Sequence, residues 1–326
     1  MNNTLKHQKL FREIITDLKI VEKELGRFLK VKDPILSQTS VYLLQAGGKR
    51  MRPGFTLLSG KFFDYHFEKL LPIAMALELI HMATLVHDDV VDASLTRRGR
   101  PTLAAGWGNT VSIATGDYLL AKALELIVRI DDKEISKTIA DVSVQMCQGE
   151  IQQIKCSYDI TQNYKQYYYR IQRKTALLIS LCCKLGAMVS NASERQIWIM
   201  STYGHCLGIA FQIVDDILDI IADPKMLGKP VGGDIRQGII TLPMIYALRD
   251  SSYANRLKEL LSKQYKSENE VEQVVKLIIQ SGGIEKSRRV VNLYLDKAIK
   301  NLHELPDIPS KDALIELAQF VGERCY

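Results

Sequence analysis

Apolar residues recur at intervals of three and four along most of the chain. Near the start, Leu10, Phe11, Ile14, Ile15, Leu18, Val21 and Leu25 share one side of a helical wheel, with Lys and Glu opposite, which predicts an amphipathic first helix. The spacing continues through the middle. No proline lies between Pro101 and Pro224, so that region is predicted to run as a succession of long helices. Breaks are expected at Lys32-Asp33-Pro34, at Gly99-Arg100-Pro101, in the loop from Asp223 to Pro243, at Ser281-Gly282-Gly283 and at Leu305-Pro306. The stretch from Gln196 to Val214 contains no Asp, Glu, Lys or Arg and has the length of a membrane span. Gln196, Ser201, Thr202, His205 and Gln212 interrupt it, and Gly204 and Gly208 permit close packing, so a central core helix of a soluble all-α bundle is predicted instead.

Composition narrows the class. With 326 residues and 47% hydrophobic content the chain can bury a large core, and no repeat or low-complexity linker divides it, so a single domain spanning 1–326 is expected. Cysteines 147, 156, 182, 183, 206 and 325 show neither a CxxC pair nor zinc spacing, which predicts reduced thiols. The early residues Lys6, His7, Lys9 and Arg12 interrupt any apolar segment of signal-peptide kind, and a cytoplasmic protein is expected. The net charge of +6 is modest and suits small anionic substrates, with at most peripheral membrane contact. No nucleic-acid motif appears, so no nucleic-acid partner is expected.

Two acidic clusters carry the candidate chemistry. Asp88-Asp89-Val90-Val91-Asp92 recurs in form as Asp215-Asp216-Ile217-Leu218-Asp219, each after a mostly apolar stretch that reads as helix. A lone DDxxD more often marks a solvated face. Two copies predict carboxylate triads facing each other across a helical cavity, with Asp88 above Asp92 and Asp215 above Asp219 at i and i+4. Six converging carboxylates need countercharge, and a hard divalent cation with oxygen ligands, Mg2+ above all, fits. Such a metal completes its shell with water and phosphate oxygens. Positive charge to match lies in Gly47-Gly48-Lys49-Arg50-Met51-Arg52-Pro53 and in Arg97-Arg98. His81, two helical turns before Asp88, is placed to donate to a second diphosphate, while His87 reads as structural.

With Gly149-Glu150 followed by Gln153, Lys174-Thr175, Phe211-Gln212 and Gly228-Lys229-Pro230 in the same order, the chain resembles the trans-isoprenyl (polyprenyl) diphosphate synthases. The wording LLQAGGKR, IHMATLVHDDV, KTALLI and GKPVGGD is most similar to component II, the larger catalytic subunit, of that family's bacterial heptaprenyl members. The resemblance implies an isoprenoid synthase-type helical bundle around a central active-site cavity. It implies head-to-tail condensation of isopentenyl diphosphate onto an allylic diphosphate with about three Mg2+ ions. Asp88, Asp92 and Asp215 are expected as metal ligands, with Asp89, Asp216 and Asp219 in direct or water-mediated support. Arg97, Lys174 and Lys229 are expected to hold the allylic diphosphate; Lys49, Arg52, His81 and Arg98 to hold isopentenyl diphosphate; and Thr175 and Gln212 to shield the developing cation. It also implies a small component I partner, a homodimer, or both. Where the family often has Lys after Gly238, Ile239 stands here, so the clamp expected from that loop is either weaker or left to Lys229. Ala83 and Thr84, five and four positions before Asp88, leave the space below the first triad unplugged and favour a long product. A terpene cyclase needs one diphosphate site, which the second basic set argues against. A non-catalytic partner subunit could dispense with the aspartates, and both triads are intact.

Overall fold

The computed structural model describes residues 10–46, 50–222, 231–249 and 252–324. A short 3-10 turn (Arg12–Ile14) leads into α1 (Ile15–Phe28), whose inner face buries Val21 and Leu25 as the apolar spacing predicts. Helix α2 (Pro34–Gln45) starts at the expected break. The Asp33 carboxylate accepts the Leu36 N–H at 2.9 Å and Pro34 takes the first helical position, where its missing N–H costs nothing. Next come α3 (Met51–Gly60) and α4 (Phe67–Val91). The expected break at Gly99-Arg100-Pro101 is a small antiparallel hairpin of β1 (Thr96–Arg97) and β2 (Arg100–Pro101), closed by Arg98 and Gly99 at positive φ.

Helices then follow almost without interruption: α5 (Leu103–Trp107), α6 (Asn109–Arg129), α7 (Lys133–Lys155) and α8 (Tyr164–Ile171). A π-helical turn (Gln172–Ala176) joins α8 to α9 (Leu177–Val189), and α10 (Glu194–Ile221) comes next. The loop expected from Asp223 to Pro243 contains α11 (Gly233–Gln237) and the start of α12 (Leu242–Arg249); residues 223–230 lie outside the described residues. The chain ends with α13 (Ala254–Leu261), α14 (Glu268–Gln280), α15 (Gly283–Leu302) and α16 (Pro309–Glu323), the last three meeting at the expected glycine and proline breaks.

The contacts sort these residues into two compact units, Met1–Ile139 with Leu181–Ser201 and His303–Glu316, and Ala140–Ser180 with Thr202–Leu302 and Leu317–Tyr326. In the first, α4 packs along α6 and against α3, whose residues from Pro53 to Gly60 are all buried. In the second, α12 packs against α15, α13 and α14. Helices α4 and α10 are long and apolar enough to cross a membrane, yet 67% and 61% of their most apolar windows are buried within the fold, as in core helices. The Gln196 to Val214 stretch lies inside α10. Five cysteines are free thiols, four of them buried, and Cys325 lies outside the described residues.

Candidate active site

In the first unit, the end of α4 sets out the first acidic cluster. Helical bonding persists to Asp92, whose N–H reaches the Asp88 carbonyl at 2.8 Å, so Asp88 and Asp92 share a face and are both half-buried. Asp89 points elsewhere. It is 5% exposed, and one of its oxygens accepts from Arg97 Nε and Nη2, each at 2.8 Å. The β1–β2 hairpin is what turns Arg97 back onto it.

Behind this cluster is a cleft lined by Arg50, Glu78, His81, Asp89, Arg97 and Arg98. Arg50 caps α3 from a left-handed backbone conformation (φ 46°) that only a surrounding framework makes tolerable for a side chain of this size. Its buried guanidinium supplies that framework, donating to Glu78 at 3.1 Å, to Glu22 at 3.2 Å and to the Leu44 carbonyl at 2.7 Å. His81 stands one turn beyond Glu78. Burial, then the guanidiniums of Arg52, Arg98, Arg97 and Arg50, push its pKa well below the ordinary imidazole range. The ring is therefore neutral near pH 7, with one N–H to donate. Glu78 was not among the residues singled out from sequence, and Arg50 was counted there only as positive charge in the 47–53 segment. The signal that would have found Glu78 is its place as the lone charged residue between Leu70 and Val86. His87, read as structural, lies against α6, 3.4 Å from Asp117. Lys49 and Lys229 lie outside the described residues.

The second unit carries the other cluster at the end of α10. Asp215 is the open member, its side chain 40% exposed and its Oδ1 3.2 Å from Arg324 Nη2. Asp216 is 4% exposed and accepts from the Tyr167 hydroxyl at 2.6 Å and Gln212 Nε2 at 2.9 Å. Burial raises its pKa to about 6, against the pull of those two donors. Asp219, 3% exposed, accepts the Asp234 N–H at 3.0 Å, and its carbonyl accepts the Gly232 N–H at 2.7 Å, which anchors the chain as it returns to α11. Thus Asp89, Asp216 and Asp219, expected in support, are the three whose carboxylates are buried against protein donors. Ile239 donates its N–H to Asp234 in the turn after α11.

Lys174 and Thr175 sit in the π-helical turn, a geometry that appears where a helix absorbs one extra residue and that is common at functional positions. Two glycines on neighbouring helices make room for it. A Cβ on Gly149 would lie 2.6 Å from Arg173 Cβ, and one on Gly208 would lie 2.5 Å from Ala176 Cα, so neither position admits a side chain while the turn stays in place. From the turn, Lys174 Nζ reaches Glu150 Oε2 at 3.0 Å, and the Thr175 hydroxyl donates to Gln212 Oε1 at 2.5 Å. Gln153 Nε2 also donates to Glu150, at 3.3 Å.

Among the described residues no three His, Cys, Asp or Glu side chains form a ready-made metal cage. The carboxylates still fit a divalent ion whose remaining ligands come from substrate: Asp88 and Asp92 share an open helix face, and Asp215 already draws a cation, the Arg324 guanidinium.

All-α architecture, paired aspartate clusters and a guanidinium-rich cleft together describe a prenyltransferase acting on diphosphates. The sequence matches the polyprenyl synthetase family over residues 33–278, and the chain belongs to that family. It is 42% identical over 324 residues to heptaprenyl diphosphate synthase component 2 of Bacillus subtilis (strain 168), covering 99% of this chain and 92% of the relative. It is 41% identical to the component 2 of Geobacillus stearothermophilus, covering 99% of this chain and all of the relative. Among solved structures, heptaprenyl diphosphate synthase from Staphylococcus aureus superposes with a TM-score of 0.90 at 38% identity, covering 94% of this chain and 97% of that one. A polyprenyl synthase from Caulobacter crescentus CB15, complexed with calcium and isoprenyl diphosphate, superposes with a TM-score of 0.93 at 32% identity, covering 97% of each. The fold is therefore the all-α isoprenoid synthase fold, and the chain is a trans-polyprenyl diphosphate synthase.

Proposed function

We propose that the chain elongates farnesyl diphosphate with isopentenyl diphosphate to heptaprenyl diphosphate, using Mg2+ and a small component 1 subunit, to furnish a menaquinone side chain in the cytoplasm. The observation that carries the two-substrate reading is the cleft behind the first aspartates, where a neutral His81 stands among four guanidiniums, a setting for a second diphosphate that a cyclase has no use for. The names of the relatives, component 2 of a heptaprenyl synthase, support the product and the partner. Exposed Ile113, Leu124 and Val128 recur on one face of α6 and support association with another chain, a second copy included.

In this reading Arg97, Lys174 and Lys229 hold the allylic diphosphate, and Lys49, Arg52, His81 and Arg98 hold isopentenyl diphosphate. Asp88, Asp92 and Asp215 hold the divalent ions, which when bound neutralise charge on the departing diphosphate. The allylic carbon–oxygen bond breaks with its electron pair leaving on diphosphate. The double bond of isopentenyl diphosphate forms the new carbon–carbon bond at the cation, and the proton then lost goes to the departed diphosphate. Thr175 and Gln212 present oxygens to the cation. Glu150 keeps Lys174 in position, and Asp89 does the same for Arg97.

The test is incorporation of labelled isopentenyl diphosphate into farnesyl diphosphate by the purified chain with Mg2+, with and without component 1, products sized by chromatography. A seven-unit product that requires the partner and vanishes with chelator is expected. No incorporation even with the partner present would overturn the reading.

Length control gives a separate prediction. Ala83 is fully buried about 7.5 Å along α4 below Asp88, and in this reading a ring there fills the path of the growing chain. Ala83→Phe is expected to remain active and to stop at about three or four isoprene units, the extension that the drop from Asp88 allows. Unchanged long products from a folded Ala83→Phe enzyme would show that the chain leaves by another path.

A further inference from the structure

The second unit contains a set of hydrogen bonds that converge on Asp216. The Tyr167 hydroxyl and Gln212 Nε2 both donate to Asp216, at 2.6 and 2.9 Å, and the Thr175 hydroxyl donates to Gln212 Oε1 at 2.5 Å. Tyr167 and Asp216 are buried, and Thr175 is nearly so. Each link fixes the next. A carboxylate only accepts, so Asp216 takes the amide nitrogen of Gln212 and leaves the amide oxygen facing Thr175. A threonine hydroxyl has one proton to give and two lone pairs. With that proton committed to Gln212, Thr175 offers only lone pairs to anything else it meets. The head-to-tail run from Thr175 through Gln212 to Asp216 polarises along its length, so the Thr175 oxygen becomes more electron-rich, while Tyr167, donating to the other carboxylate oxygen, fixes how Asp216 is turned.

We propose that Tyr167, acting through Asp216 and Gln212, is a positioning residue that fixes the proton of Thr175 and so keeps its oxygen turned electron-rich side out toward the allylic cation. This rests on the prenyl-transfer reading above. Tyr167 touches no reacting atom. Its own setting is rigid: the Arg170 guanidinium lies 5.5 Å from its ring centroid and is tied to Gln162 at 3.0 Å and the Ile240 carbonyl at 2.7 Å. Without the tyrosine hydroxyl, Asp216 Oδ2 loses its donor and the carboxylate is free to rotate. Gln212 can then flip, and the Thr175 proton can turn toward a positive centre, where it repels instead of stabilising.

The experiment is a double-mutant cycle on the complete enzyme with its partner, read as kcat, KM for each substrate, Mg2+ activation and thermal unfolding. Tyr167→Phe is expected to lower kcat about 10-fold with both KM values and the Mg2+ midpoint unchanged. Thr175→Val is expected to lower it about 100-fold. If Tyr167 acts through Thr175, the double variant Tyr167→Phe/Thr175→Val matches Thr175→Val alone, whereas Tyr167→Phe/Thr175→Ser keeps the full loss, because serine retains the hydroxyl. Multiplying effects of about 1,000-fold in the Val double variant would overturn the inference, as would a kcat restored by raising Mg2+. Should Tyr167→Phe fail to unfold cooperatively, Tyr167→Met, which also lacks the hydroxyl, takes its place in the same cycle with the same expectations. An inactive wild-type enzyme would instead fault the prenyl-transfer reading itself.

Discussion

Asp88→Ala and Asp215→Ala are each expected to lower prenyl transfer by about 100- to 1,000-fold while the far-UV spectrum and unfolding midpoint stay near those of the parent. The reason lies in their surroundings. Both carboxylates are partly open to solvent, where a lost polar contact is replaced by water, so their loss removes an ion-binding group more than a structural one. Asp219→Ala should behave differently, because it strips the Asp234 N–H of a buried partner and frees the entry to α11; there the unfolding midpoint itself should fall. Steady-state assays alongside thermal melts separate the two outcomes. Wild-type turnover in both Asp88→Ala and Asp215→Ala would remove them from the reaction.

Glu78→Ala is expected to cost about 3 kcal/mol of folding stability, the lower end of what losing one partner of a buried ion pair costs. Both side chains of the Arg50–Glu78 pair are under 10% exposed, so water screens the pair little. The full penalty is not expected because Arg50 keeps Glu22 and the Leu44 carbonyl. Glu78→Gln preserves an acceptor and should cost less. Urea unfolding at neutral pH measures both, and a Glu78→Ala midpoint equal to the parent's would show that Arg50 needs no carboxylate from α4.

What the sequence made legible follows from range. Helix α1 and the Asp33–Pro34 start of α2 depend on neighbours within a turn or two, so periodicity and capping chemistry find them. The aspartate clusters were visible because a short motif occurs twice. By contrast, Arg50 and Glu78 are 28 residues apart, and Tyr167 and Asp216 are 49 apart, and nothing local says which residue each of them meets. The division of each triad into open and buried aspartates was likewise decided by tertiary donors, Arg97 brought back by the hairpin and Tyr167 from α8. The hairpin hid behind a correct expectation of a break, since two-residue strands carry no alternation to read.

The π-helical turn at Gln172–Ala176 sets the phase of the helix that follows it. Taking one residue more than a regular helical repeat advances the chain by about 100° of rotation, so α9 meets its neighbours with a different set of side chains than a straight continuation of α8 would offer. The five residues therefore work as a phase shifter written into the length of the chain rather than into its composition. Substitutions there alter one side chain each. A single deletion would put the residues of α9, from Leu177 to Val189, out of step with the partners they now face.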